Sequence, residues 1–542
     1  MSRARRDGKR LIYVALLSLN ILMSGCTAQR KNGVGTSVSS RSNTLRMAVS
    51  IEPPTLDPAK VQDIPTNIIL SHVFEGLVRY NEKNVIEPVL ASAWDLSPDG
   101  KIYTFHIRSD VHFHNGRLFT AEDVKYSWER ALSPKTDSGV AANYLDGIVG
   151  AKDVAVGKRT DLPGVVVMDA QTLKVTLDHA RAYFLGMISY PSGWIVCREA
   201  VAKTDGKVGK GSMIGTGPFQ WDSYKPGLLV TLKANPSYWN GKPLLDSIEF
   251  PIIINSETVY NNFETGQLDI ADVSNARIAQ DRAAGKFNKE YHVIPEAALN
   301  YLVMQPEKQP VFANILVRKA FAEAIDRAKL LKIADNGIGT VANGILPPDL
   351  PGKGTEPQPI PYNPAEARKF LAQAGYPEGR GFPTLTLTYT QNSPANRAAG
   401  GLIRDDLRNN LGVTINLQEL EAGQYFAQER KKELEFCFAN WIADYPDPQN
   451  FLSTLFVSTA SLNRSSYHNL EFDKLCTAAD AEQNPSRRAD LYGKANQIIM
   501  QDVGVLPLSF GPHILLVHEN VLGWQANLCK LLPFTRAKLT RN

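Results

Sequence analysis

Hydrophobic positions change period within residues 101–132. Lys101–Arg108 (KIYTFHIR) sets Ile102, Thr104 and His106 against Tyr103, Phe105 and Ile107, which predicts a strand with one buried face. Asn115-Gly116 marks a tight turn. Thr120, with Asp123 three residues on, predicts a capped helix start, and Val124, Trp128, Ala131 and Leu132 share one face of that helix. Farther on, Val317, Ala320, Phe321, Ala324, Ile325 and Ala328 recur at helical spacing. Asn363-Pro364 predicts another helix start, with Glu366 in its first turn and Gly375 past its end. Residues 384–390 read as a strand, about 396–410 as a helix, and 413–417 and 434–439 as strands. This strand–helix–strand order predicts a parallel α/β lobe. Ligands of such lobes gather beyond the carboxyl ends of the strands. The segment after Ala439, which holds Trp441 and ADYPDPQN (443–450), is therefore the first candidate site.

The N-terminus has a different pattern. Arg3, Arg5, Arg6, Lys9 and Arg10 precede a 13-residue, mostly apolar run at 11–23, and Ser24-Gly25-Cys26 follows. A basic start, a short apolar run and small residues predict an export signal over 1–25. The run is too short for a comfortable membrane span, which needs about 20 residues. Ser-Gly-Cys resembles a bacterial lipobox, which implies acylation at Cys26, although Met23 stands where that pattern prefers Leu. A plain cleaved signal is the alternative. Residues 26–44 are rich in Ser, Thr, Gly and Asn and read as a flexible tether.

Charge then loses its apparent meaning. The chain carries 59 Lys+Arg against 55 Asp+Glu, but residues 1–25 hold five of the basic residues and one acid, which leaves 54 of each sign. The +4 excess belongs to the export signal, and Arg430-Lys431-Lys432 reads as a solvated face. Nucleic acid is therefore not an expected partner. At 542 residues the chain exceeds a single core, which stops growing near ~250–300 residues, so two or three lobes are expected.

Motifs for chemistry are sparse. The chain has no GxSxG, HExxH, CxxC or Walker A sequence, and GKVGKGS at 206–212 lacks the spacing of a phosphate loop. His112 and His114 alternate on one face but lack a nearby third ligand, and Pro446 between Asp444 and Asp447 argues against a calcium loop. No metal or cofactor is expected. Cys197, Cys437, Cys476 and Cys529 are spaced too widely to fix a pairing, and Cys437 reads as a buried thiol.

Several blocks in order carry a resemblance. They are PTLDPAK (54–60), VFEGLVRYNE (73–82), the long block 91–132, IGTGPFQWDSYKPG (214–227), ANPSYWNGKP (234–243), VRKAFAEAIDRAKL (317–330), YNPAEARKFLAQAGYP (362–377) and NWIADYPDPQNFL (440–452). With them the chain resembles the extracytoplasmic solute-binding proteins of peptide-type ABC importers, the oligopeptide- and dipeptide-binding family. The resemblance implies an α/β, two-sided periplasmic-binding-protein (Venus-flytrap) fold of type II with an extra inserted lobe, as in cluster C. It implies a first lobe of 45–75, 195–300 and 506–542, an inserted lobe of 76–194, an opposite lobe of 301–505, and hinge crossovers near 300 and 505. It also implies a monomeric receptor that closes on a peptide and delivers it to a permease and ATPase complex, while a lipid anchor holds it at the membrane outside the cytoplasm.

The implied site follows residue by residue. In the family, the Asp of a W-x-x-D segment anchors the ligand's amino group, which matches Asp444, with Trp441 as a cleft wall. Gln62-Asp63-Ile64 matches a segment that pairs with the ligand backbone. Three departures stand out. Phe438 occupies the place of an Arg found six residues before the anchoring Asp in some oligopeptide binders. Ala141 replaces a cleft aromatic, and Glu421-Ala422 falls where a second Trp is found. Asn396 and Arg397 lie near an alternative carboxylate region. The ligand class therefore stays open between peptides and another amine-bearing solute, such as a metallophore, or a sugar, and a sensor role is a further alternative. A secreted hydrolase is the weakest reading, since no nucleophile–base pair is visible.

Overall fold

The computed structural model describes residues 43–540, apart from Asn392 and Lys530. The export signal, Cys26 and nearly all of the tether lie outside the described residues.

The chain opens on a four-stranded sheet, in the order Thr44–Arg46, Ser247–Pro251, Leu229–Ala234 and Phe219–Lys225. Thr44 is thus a strand residue and not the end of the tether. It is buried, and its hydroxyl lies 2.6 Å from the Ser247 hydroxyl. Gly215 and Gly217 of the IGTGPF block have a packing role here. A Cβ at Gly215 would lie 1.9 Å from the Val73 carbonyl oxygen, and one at Gly217 would lie 2.4 Å from that of His72. Only glycine lets the two backbones approach closely enough for Gly217 N–H to donate to Val73 O at 3.0 Å.

A second four-stranded sheet is antiparallel, in the order Ala91–Leu96, Ile102–Ile107, Thr172–Thr176 and Val165–Asp169. The expected alternation holds, with Tyr103, Phe105 and Ile107 buried. The helix Ala121–Leu132 covers this sheet's core and begins with the capping box of Thr120 and Asp123. Its Trp128 is fully buried, and the indole N–H donates to Gly193 O at 3.1 Å.

The third body is a six-stranded sheet, in the order Thr340–Val341, Leu506–Phe510, Ala298–Met304, Phe436–Ile442, Leu385–Thr390 and Ile415–Leu420. The expected parallel unit is present: Leu385–Thr390 and Ile415–Leu420 pair in parallel through the helix Pro394–Leu411. The second strand starts later than expected because Gly412, at φ 70°, closes the helix and Val413 N–H still bonds back to Leu407 O. The sheet as a whole is mixed, since Ala298–Met304 runs antiparallel to both of its neighbours. The helical run around 317–328 is two helices. Ile315–Ala324 ends at Ile325, and Asp326 caps Arg327–Ala334 by accepting Lys329 N–H at 2.9 Å.

A three-stranded sheet, Ile270–Asp272, His513–Val517 and Tyr291–Ile294, stands between the first and third bodies along the chain. The chain passes from it to the six-stranded sheet through 295–297 and returns through Gly511-Pro512. Leu506–Phe510 therefore belongs to the large sheet, and the chain leaves that sheet at Gly511-Pro512. Leu528 and Cys529 also pack into the core of the large sheet, while Leu531, Phe534 and Ala537 pack with the first sheet.

Candidate functional site

The strand Phe436–Ile442 ends at one side of a cleft and releases the loop 443–450. Asn450 organises that loop. It is buried, and its Oδ1 accepts both the Asp444 backbone N–H at 2.9 Å and the Trp441 indole N–H at 3.2 Å. Asp447 accepts Gln449 N–H at 2.8 Å and caps the short turn Pro448–Asn450. The Asp447 carboxylate also receives the Arg488 guanidinium in a two-pronged contact at 2.8 and 2.7 Å, with both side chains largely buried. The helix Pro485–Gln501 thereby holds the loop in place.

The facing wall is aromatic. Tyr144, Tyr183, Met187 and Tyr190 cluster with Tyr445 of the loop. Tyr144 and Tyr190 stack with ring centres 3.8 Å apart and planes 10° apart. Asp444 lies beside the Tyr144 hydroxyl, and burial with that neighbouring carboxylate pushes the hydroxyl's pKa well above its ordinary value. Tyr190 donates to Val61 O at 3.1 Å. The buried Arg181 guanidinium is shared loosely by Asp146 at 3.4 Å and Asp178 at 3.3 Å.

These walls enclose a cavity of about 650 Å³ lined by Gln62, Asp63, Ile64, Trp441 and Asp444 among others. A second cavity of about 530 Å³ shares Asn440, Trp441 and Leu462 with it and is lined by Asn396 and Phe438. Five of the seven ligand-site residues expected from sequence thus face one space, and Asn396 faces the adjoining one. Arg397 lines neither. It pairs with Glu419 at 2.7 and 2.8 Å and lies more than half exposed, so the charge on the neighbouring strand has already claimed it.

Three departures now have structural counterparts. Ala141 is buried in the core of the second sheet, and the ring comes one turn later, from Tyr144. Glu421 caps the helix Ala422–Arg430, accepting Gly423 N–H at 2.8 Å. Phe438 gives the second cavity an apolar wall in place of a charge. Sequence reading missed Tyr144, Tyr183, Tyr190, Tyr445, Arg181 and Asn450. The only signal for the first was a tyrosine three residues beyond Ala141.

The other candidates have structural uses. His114 is deprotonated at neutral pH, its pKa lowered to about 4 by burial, and its Nε2 lies 3.0 Å from Gly217 O. Among the described residues no group of three or more His, Cys, Asp or Glu could hold a metal ion. Cys197, Cys437 and Cys476 are buried thiols, and burial pushes that of Cys437 up to about 12.

Asp480 lies behind the cleft and carries a pH dependence. Its backbone oxygen accepts Ala182 N–H at 3.1 Å, which ties the two walls together. Burial raises its carboxyl from 3.8 to about 6, against the hydrogen bonds from Tyr492 and Ser453 that lower it. Between those values the folded chain holds the proton more tightly than the unfolded one, so this group's contribution falls as pH rises toward 6. Asp480→Asn is expected to remove a fall of about 2 kcal/mol between about pH 4 and 6, measured by urea unfolding across that range.

A mixed α/β chain with paired crossovers and an enclosed aromatic cleft defines the class of two-sided binding proteins. The family model described as the middle part of the bacterial extracellular solute-binding proteins, family 5, matches residues 85–463. The chain belongs to that family. It is 28% identical to the dipeptide-binding protein DppE of Bacillus subtilis over 94% of each chain. It is 29% identical to heme-binding protein A of Haemophilus influenzae, over 94% of this chain and 96% of that one. The solved structure of the Escherichia coli murein tripeptide binding protein MppA superposes with a TM-score of 0.79 at 26% identity, covering 93% of this chain and 99% of that one. Among the described residues no helix is long and apolar enough to cross a membrane.

Proposed function

We propose that this chain is an extracytoplasmic receptor that captures peptides between two lobes and hands them to an ABC permease and its ATPase. The observation that carries the reading is Asp444, a carboxylate on a braced loop, at an aromatic-walled cavity. An enclosed ammonium needs such a counter-ion, because an unpaired buried charge is very costly. A peptide's extended backbone pairs without regard to sequence, which suits the segment 62–64. DppE and MppA are named for peptide ligands, which supports the same class.

In this reading the inserted lobe of 76–194 carries Tyr144 and Tyr190, and the opposite lobe carries Asp444. Closure turns on 295–297 and Gly511-Pro512, a hinge motion that sequesters the ligand. Acylation at Cys26 after removal of residues 1–25 anchors a monomer to the membrane by lipid and tether. The protein binds its ligand without chemically changing it.

Native mass spectrometry of the exported protein tests the reading. The expected spectrum shows bound masses spaced by amino-acid residues. A single discrete non-peptide mass would replace the peptide reading with a dedicated solute. Peptide fragments accumulating above background on incubation with mixed peptides would instead make the protein a hydrolase.

A further inference from the structure

Asp63 holds more charge than its structural task requires. It is the N-cap of the helix Ile64–Leu70, where its Oδ1 accepts Thr66 N–H at 2.8 Å. A neutral Asn caps a helix as well as Asp does. The second oxygen, Oδ2, is buried and receives no hydrogen bond from the described residues, and the same is true of Asn67 Oδ1 one turn on. Both residues line the 650 Å³ cavity. Two acceptors on one wall therefore await donors.

Among the described residues no Lys, Arg or His forms an ion pair with Asp63. Arg181, the cavity's own guanidinium, is shared by Asp146 and Asp178, and Arg130 of the neighbouring helix is taken by Asp57. Among the described residues that line the cavity, Asp63, Asp146 and Asp444 thus stand against Arg181 as the one basic side chain. The two carboxylates that matter come from separate segments. Tyr190 stands between them: its hydroxyl bonds to Val61 O, two residues before Asp63, and its ring stacks on Tyr144, which lies beside Asp444. Both Asp444 and Asp63 raise the Tyr190 hydroxyl's pKa, after burial, as flanking charges do.

We infer that Asp63 is a specificity-determining residue that makes the cleft prefer peptides with a basic side chain near the amino end. This rests on the peptide-capture reading above. The ligand's own amine is met by Asp444. A lysine or arginine side chain near it then donates to Asp63 Oδ2 and Asn67 Oδ1 as charge-assisted hydrogen bonds. Sequence-tolerant pairing along the backbone leaves room for this local preference, because backbone and side-chain contacts use different atoms.

Isothermal titration with Lys-Ala-Ala and Ala-Lys-Ala against their norleucine counterparts, and with the same peptides lengthened by one and two alanines, tests the inference. Norleucine keeps the hydrocarbon stem and removes the charge. At least one lysine peptide is expected to bind about tenfold tighter than its counterpart, the scale of one charge-assisted hydrogen bond. In Asp63→Asn, which keeps the cap, the ratio should fall to within about twofold of unity. Asp63→Ser, another good cap, should do the same, and unchanged thermal midpoints would confirm folding. Equal affinities in the unaltered protein, or a preference that survives both substitutions, would overturn the inference while leaving peptide capture intact. If none of the peptides binds, peptide capture fails and the inference falls with it.

Discussion

Asp444→Asn is expected to weaken capture of free-amine peptides by roughly 100-fold or more, from the ~3–5 kcal/mol lost when one partner of a buried charge pair is removed. The substitution keeps the side chain's shape, and Asn450 still accepts the backbone N–H of residue 444. The thermal midpoint of the empty protein should therefore barely move. Titration of a free-amine peptide and its N-acetylated form against both proteins closes a double-mutant cycle. Acetylation should cost the unaltered protein about as much as the substitution does, and the two losses should not add. Equal binding of the free and acetylated peptides to the unaltered protein would remove Asp444 from the amine site.

The second large effect lies one layer back. Arg488→Met should destabilise the fold by about 3 kcal/mol, because it strands the Asp447 carboxylate without its partner. Ligand affinity should fall too, since Asp447 caps the turn that contains Asn450, and Asn450 sets both Asp444 and Trp441. Arg488→Lys should recover only part of the loss, because an ammonium cannot make the two-pronged contact. Adding Asp447→Asn to Arg488→Met should restore much of the stability, as removing both charges of a buried pair usually does. Urea midpoints of the four proteins decide this. A single Arg488→Met with an unchanged midpoint would make the contact energetically idle.

The parts of the chain behind these two effects differ in how plainly the sequence displays them. The strand at 102–107 and the helix at 121–132 are legible because each buries one face, so the period survives in the residues. The loop at 443–450 is legible because it follows an apolar strand. Leu506–Phe510 is buried on both faces, so it has no alternation, and its place in the large sheet depends on partners some 200 residues earlier. Thr44 was hidden because a polar β-branched residue beside a Ser/Gly-rich segment looks like more linker. Arg397 looked available because its partner, Glu419, lies on a strand reached only through an 18-residue helix. The aromatic wall was hidden for a similar reason. Tyr144 and Tyr190 are separated by a strand pair and two helices, and no spacing rule brings them together.

Each of the two crossovers contains a proline, Pro295 in one and Pro512 in the other. Every proline fixes its own φ and restricts the residue before it. Three residues on one side and two on the other then offer few torsions that can turn freely. In the two-lobe reading proposed above, the pair leaves closure few torsions to vary. An empty receptor should sweep a narrow arc and not wander through many relative poses. Closing that arc then costs little orientational entropy, and more of the contact energy in the cleft is left to appear as affinity.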